Sequence, residues 1–359
     1  MTYWITKVDE NAEASSYQSG IIANNMAAES VSQVGFRKLH YPRLYAQELQ
    51  DMGAGGRRDK LEAILNVVLP GDVVIVQYPL WTSEVQFELE FIDYLKNERH
   101  AKTVALIWDI ISWIHDDTNR DYSGNASLWL LNKYDLVIAA NAKMARHLSE
   151  TGGVTTPKIA MGLSDFVYHG PLPQHQFKKQ LYYVSSSVDP AMVTEYQSDM
   201  PIKFIGPNQG TAGLPDYVQM LGKMNSNDIP AKLDDGFGLL YYPKTGFYKG
   251  MNNYGHYNNP MKLSLYLAAG LPVITMSGTA HSGWLKERGV GLVIDSIADI
   301  DDAVNALSDA DYQQMVANVR PWQEAVTSGF FAKQAALEAV RYLELGFEDQ
   351  LVVTGGDRA

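Results

Sequence analysis

Asn258-Asn259-Pro260-Met261-Lys262-Leu263 is the stretch whose residue types most clearly suggest chemistry. Asparagine suits a helix N-cap and proline the first helical position. That spacing makes Asn259 the cap, Pro260 the first residue and Lys262 the third. A helix N-terminus carries partial positive charge, so a lysine in its first turn is opposed by about 0.3–1 kcal/mol. Two readings resolve the conflict. In one, the free N–H groups and Lys262 together hold an anion, above all a phosphate. In the other, the lysine extends into water. Gly270 fits the end of this helix, and Leu271 to Thr275 reads as the strand that follows.

Other candidates stand where apolar runs end. Asp109 follows Thr103 to Trp108 and reads either as a general base for a hydroxyl or as a loop or cap aspartate. His115 and Asp116 are weaker alternatives. Gln77, Tyr78 and Trp81 leave the run that begins at Asp72, and they suit either sugar contact or packing. Ser16 lies in a polar loop after the first run, and Tyr241, Tyr242 and Lys244 follow the strand-like Gly236-Phe237-Gly238-Leu239. Met251 to Tyr257 reads as a loop capping the site. Gly53 to Arg58 has the glycines of a phosphate loop, but it follows a helical pattern instead of a strand and reads as a flexible turn. The pairs Asp234-Asp235 and Asp301-Asp302 lack metal-ligand spacing, so no metal is expected.

These residues need a scaffold. Short β-branched runs at 3–6, 72–77, 103–108 and 136–139 alternate with helical patterns near 43–52, 58–68, 84–97, 125–133 and 143–150. After a proline-containing pause the alternation resumes with runs at 181–184, 202–205, 218–221, 238–241, 271–275 and 291–294, and amphipathic stretches close the chain at 311–326 and 330–346. Alternation of this kind predicts parallel sheets covered by helices. We expect an α/β protein with an N-terminal domain over 1–160 and a C-terminal domain over 165–325, the helix near 330–350 packing back on the first.

The 359 residues carry 29 basic and 41 acidic side chains, a net charge of −12. Such a field disfavours nucleic acid and anionic membranes as partners. The absence of cysteine excludes disulfides and thiolate chemistry. With no signal-like leader and no long apolar run, the expectation is a cytoplasmic protein.

The segment x-Pro-x-Lys-Leu through Tyr-Leu-Ala-Ala-Gly-Leu-Pro-Val-Ile resembles the nucleotide-sugar site of GT-B glycosyltransferases. Pro70 to Gln77, Ala105 to Ile110 and Asp235 to Tyr241 extend the resemblance along nearly the whole chain. It is specifically to the glucosyltransferases that extend O-linked GlcNAc on serine-rich repeat adhesins, with related patterns in bacterial galactofuranosyltransferases. The resemblance implies a GT-B fold, two Rossmann-like domains with a cleft between them, and oligomeric assembly. It implies a UDP-sugar donor as substrate, probed by Ser185, Ser186, Ser187, Tyr241, Asn258, Asn259, Pro260, Met261 and Lys262. It places the acceptor, a glycosylated serine-rich protein or a glycan, near Ser16, Gln77, Tyr78 and Trp81. Asp109 and Lys262 would be catalytic. Asp189 stands where the related pattern has a basic residue, and Tyr257 and Leu265 stand where many retaining relatives carry glutamates.

Overall fold

The computed structural model describes residues 1–10, 19–82, 84–115, 125–207, 213–244 and 251–346. Ser16 and Asp116 lie outside them. The chain divides into two compact units. One comprises Met1–Ser164, Tyr257–Asn259 and Gly329–Ala359, and the other Asp165–His256 and Pro260–Ser328.

In the first unit the strands are β1 (Tyr3–Asp9), β2 (Arg37–Pro42), β3 (Val73–Tyr78), β4 (Lys102–Ile107), β5 (Leu136–Ala139) and β6 (Lys158–Ala160). The helices between them are α1 (Ser19–Ser32), α2 (Ala46–Leu65), α3 (Val85–Asp93), α4 (Ile111–His115), α5 (Asn125–Leu131) and α6 (Ala142–Glu150). All pairings are parallel, in the order β2-β1-β3-β4-β5-β6. Every residue of β3 and β5 is buried, as expected for strands covered on both faces.

The second unit repeats the plan with β7 (Leu181–Val184), β8 (Ile202–Ile205), β9 (Val218–Gly222), β10 (Phe237–Leu240), β11 (Val273–Met276) and β12 (Gly291–Ile294). Its helices are α7 (Pro190–Glu195), α8 (Met251–Tyr254), α9 (Met261–Ala268), α10 (Ser282–Arg288), α11 (Ile300–Asn305) and α12 (Asp309–Thr327). The order is β12-β11-β10-β7-β8-β9, again parallel. Its core gathers Leu181, Tyr183, Phe204, Phe237, Tyr241 and Tyr312. The last helix, α13 (Phe330–Leu345), packs on α1, β5 and β6 of the first unit. Gly329, at φ 72°, begins it, and a Cβ there would collide with Ser30 of α1.

Several expectations need correction. Residues 43–52 and 58–68 are not joined by a turn running from Gly53 to Arg58. They lie in α2, which is two helices in series, broken as the glycines suggest, but the break is the single residue Gly53 (φ 61°, ψ −178°), with Gly55 and Gly56 already inside the second helix. Arg57 there grips Glu90 through two hydrogen bonds of 2.8 Å, so it is a packing residue. Met251 to Tyr254 is helical, and Tyr254 is buried, so that stretch is not a loop. Among the described residues, no helix is long and apolar enough to cross a membrane.

Candidate functional site

In an open parallel sheet, ligands bind beyond the carboxyl ends of the strands where the strand order reverses. In the second unit the chain runs β7, β8, β9 in one direction and returns to place β10 on the other side of β7. The reversal therefore lies between β7 and β10, whose carboxyl ends lead into Ser185–Asp189 and Tyr241–Lys244.

Asp189 joins these two turns. It is 3% exposed. One carboxylate oxygen accepts the Ala191 N–H at 3.1 Å and caps α7. The other accepts the Lys244 N–H at 2.7 Å and the Tyr241 hydroxyl at 3.4 Å. This explains an aspartate where the related pattern is basic: it braces the turn. Asp189→Ala removes a helix cap and strands a backbone donor, so it should cost about 2 kcal/mol. A lowered melting temperature, together with weaker UDP binding, is the expected result.

Ser185 and Ser187 are half-buried and Ser186 is exposed, so this turn presents hydroxyls at the sheet edge. Tyr241 is placed differently. It is 1% exposed, with its ring edge-on to Tyr183, so it supports the turn from beneath and does not present a ligand contact. Lys244 pairs with Glu195 at 2.6 Å.

Helix α9 begins one residue later than its sequence suggests. Pro260 occupies the cap position in an extended conformation, Met261 is first and Lys262 second. The Leu263 N–H already bonds Pro260 O at 3.0 Å. The Met261 and Lys262 N–H groups precede the regular intrahelical bonds and leave the helix end as donors. The helix is held tightly against the sheet. Tyr266 inserts over Gly238 of β10, where any Cβ would collide with its ring. Its hydroxyl takes the Val184 N–H at 3.1 Å and contacts the Tyr182 and Leu239 carbonyls at 3.1 and 3.2 Å. Tyr266, unremarked in the sequence, thus pins α9 to the ends of β7 and β10.

Lys262 is partly exposed, but its ammonium carries a burial penalty that pulls its pKa down to about 8. Nζ lies 4.8 Å from the centroid of the Tyr183 ring. Among the described residues it makes no ion pair and no hydrogen bond. A desolvated cation without a carboxylate, beside a helix N-terminus at the reversal point, is suited to an anion carrying more than one charge.

Asn258 and Asn259 belong to the first unit, and they do not cap α9. Asn141, at the end of β5, caps α6 through Oδ1, while its Nδ2 bonds Tyr257 O at 2.7 Å, Asn258 O at 3.3 Å and Asn259 Oδ1 at 3.0 Å. Asn259 Nδ2 reaches Ala140 O at 2.5 Å. The Asn141 and Asn259 side chains are therefore engaged in anchoring this segment, a use that a cap reading does not foresee. Tyr257 stacks on His147 at 4.0 Å and 7°, with Trp113 edge-on to His147 at 4.9 Å. Burial lowers the His147 pKa.

The first unit reverses direction between β1 and β3. Gln77 and Tyr78 leave β3 there, yet neither faces outward. Gln77 is fully buried and donates to Thr6 O at 2.5 Å and Asn24 O at 3.0 Å, while Trp108 donates to its Oε1 at 2.8 Å. Tyr78 is 1% exposed. Both are core residues that fix this edge. Trp81 is partly exposed, holds φ 58°, packs over Gly20, and has a buried indole N–H with no partner among the described residues. Asp109 is half-buried, two residues past the carboxyl end of β4 and two before α4.

Similarity to known proteins agrees with this arrangement. A glucosyltransferase 3 of Streptococcus gordonii is 27% identical over 332 residues, covering 91% of this chain and 95% of that protein. The β-1,6-galactofuranosyltransferase WbbI of Escherichia coli K12 is 21% identical, covering 81% of this chain and 95% of its own. Among solved structures, sucrose-phosphate synthase from Thermosynechococcus elongatus superposes with a TM-score of 0.67 at 11% identity, over 96% of this chain and 99% of its own. Anabaena HepE, solved with UDP-glucose, has a TM-score of 0.61 at 9% identity, over 95% and 99%. These neighbours establish a GT-B fold. Residues 2–163 match the N-terminal domain of the Glucosyltransferase 3-like proteins and residues 181–339 match their C-terminal domain, so the chain belongs to the Glucosyltransferase 3-like family of glycosyltransferases.

Proposed function

We propose that this glycosyltransferase takes a hexose, glucose first among the candidates, from a UDP-sugar and adds it to GlcNAc already attached to a serine-rich repeat adhesin. The observation that carries the donor assignment is the Lys262 ammonium, without a carboxylate partner among the described residues and set beside the amides that open α9. The diphosphate occupies that position. As the glycosidic bond to the donor breaks, negative charge grows on the leaving UDP, and Lys262 with the Met261 and Lys262 N–H groups stabilises it. The cation supplies the positive charge, so transfer proceeds without a metal. Ser185, Ser186 and Ser187 bind the donor from the β7 turn. Asp109 takes the proton of the acceptor hydroxyl, and the partly exposed ring of Trp81 offers an aromatic face to the acceptor sugar. The protein acts in the cytoplasm as a homo-oligomer.

Similarity to WbbI favours a second reading, a cell-surface polysaccharide transferase with galactofuranose as its sugar. The two are separated by measuring UDP release from UDP-glucose, UDP-GlcNAc and UDP-galactofuranose, with GlcNAc-bearing serine peptide or with polysaccharide acceptor. Release from UDP-glucose that depends on the peptide is expected. Release only from UDP-galactofuranose with polysaccharide would select the second reading, and UDP-sugar binding without release under any condition would contradict both.

A further inference from the structure

We propose that Tyr183 is a positioning residue for the donor-binding cation, the face of its ring standing in for a carboxylate and holding the Lys262 ammonium charged and in place. The inference rests on the reading that Lys262 binds the donor diphosphate, and it adds the reason that lysine is usable there.

A cation within about 6 Å of an aromatic centroid is attracted by the negative face of the ring. At 4.8 Å, the Lys262 ammonium is inside that range. The ring cannot drift. Tyr183 is fully buried on β7, with Phe204 at 5.9 Å and Tyr241 edge-on at 6.4 Å. A carboxylate partner would hold the ammonium more strongly, but it would also repel the diphosphate and have to be displaced by it. An aromatic face stabilises the charge while leaving the full positive charge for the ligand.

The other ionisable groups nearby are otherwise engaged. Asp189 lies behind Tyr183, where it acts on the phenol and is bonded to Ala191, Lys244 and Tyr241. On α9 itself, the Tyr266 hydroxyl is bonded to strand backbone. His175 and Gln323 meet α9 at its opposite end, at the Ala269 and Ala268 carbonyls, and Lys232, on the turn Pro230–Lys232 packed against α9, is exposed. Burial pulls the ammonium down to a pKa of about 8, close enough to neutral pH that losing the ring's attraction lowers the charged fraction there.

The test is UDP affinity by calorimetry from about pH 6 to about pH 10, a span that brackets the lysine transition. Wild type, Tyr183→Phe, Tyr183→Leu, Tyr183→Met and Lys262→Ala are compared, each checked for a cooperative melt. Wild-type affinity should fall as pH rises through about 8. Lys262→Ala should bind weakly and lose that fall. Tyr183→Phe keeps the ring and should retain the wild-type midpoint. Tyr183→Leu or Tyr183→Met should move the midpoint down by about 0.5–1 pH unit, the shift expected for loss of one cation–π contact. If neither variant folds, wild-type NMR decides: the Lys262 ε-methylene protons should resonate upfield of the other lysines because of the ring current. An unshifted midpoint in a folded Leu or Met variant, or an unshifted Lys262 resonance, would overturn the inference while leaving the donor reading intact. Wild-type UDP affinity in Lys262→Ala would instead remove the donor reading, and the inference with it.

Discussion

Lys262→Met should bind UDP about 100-fold more weakly than wild type, and the unliganded variant should melt at a higher temperature. The first effect follows from removing the desolvated charge proposed to pair with phosphate, a loss of a few kcal/mol. The second follows from the same burial. In the folded protein the lysine pKa is lowered from 10.5 to about 8. Below pH 8 both folded and unfolded chains hold the proton, and the folded chain bears the cost of the desolvated charge. Between about pH 8 and 10.5 the unfolded chain holds more protons, so stability rises with pH as that cost is lifted. Methionine removes the cost at every pH. Because the lysine is partly exposed, the gain is discounted to about 1 kcal/mol, equivalent to a few degrees in melting temperature. Calorimetric titration with UDP and a thermal melt without it check both halves. A variant that melts lower and binds UDP normally would show the lysine to be structural.

Asp109→Asn should lower kcat by about 100- to 10,000-fold while leaving UDP affinity within a few-fold of wild type. The aspartate stands just past the carboxyl end of β4, the edge at which a parallel sheet presents its ligands, and it belongs to the first unit, whereas the proposed diphosphate contacts belong to the second. Replacing its carboxylate by an isosteric amide removes the proposed base without altering size. Single-turnover transfer measured at saturating donor isolates the step. Retention of kcat within a few-fold would show that Asp109 only shapes the turn before α4.

Much of the fold was legible because buried parallel strands are short continuous apolar runs. β5, β7, β8 and β12 coincide with the runs at 136–139, 181–184, 202–205 and 291–294. The strands that escaped are those without such runs. β2 is an edge strand whose Arg37-Lys38-Leu39-His40-Tyr41-Pro42 alternates exposed and buried positions, and β6 has only three residues. α1 escaped because alanines supply much of its buried face, with Ala23, Ala27 and Ala28 beside Ile21, Ile22 and Val31. At the site, Pro260 and Lys262 declared the helix end to within one residue. What spacing could not reveal was partnership. Gln77 looks like a sugar ligand until Thr6, Asn24 and Trp108 are seen to occupy it. Asn259 looks like a cap until Asn141 and Ala140 claim its side chain. Tyr183 and Tyr266 look like ordinary core aromatics, and their roles depend on contacts 79 and 84 residues away with Lys262 and Tyr182, respectively.

The most direct test is a crystal structure with UDP bound. Diphosphate oxygens should lie about 3 Å from Lys262 Nζ and from the N–H groups of Met261 and Lys262. UDP bound away from the start of α9, with the Lys262 ammonium still resting on Tyr183 and touching no phosphate, would contradict the donor assignment.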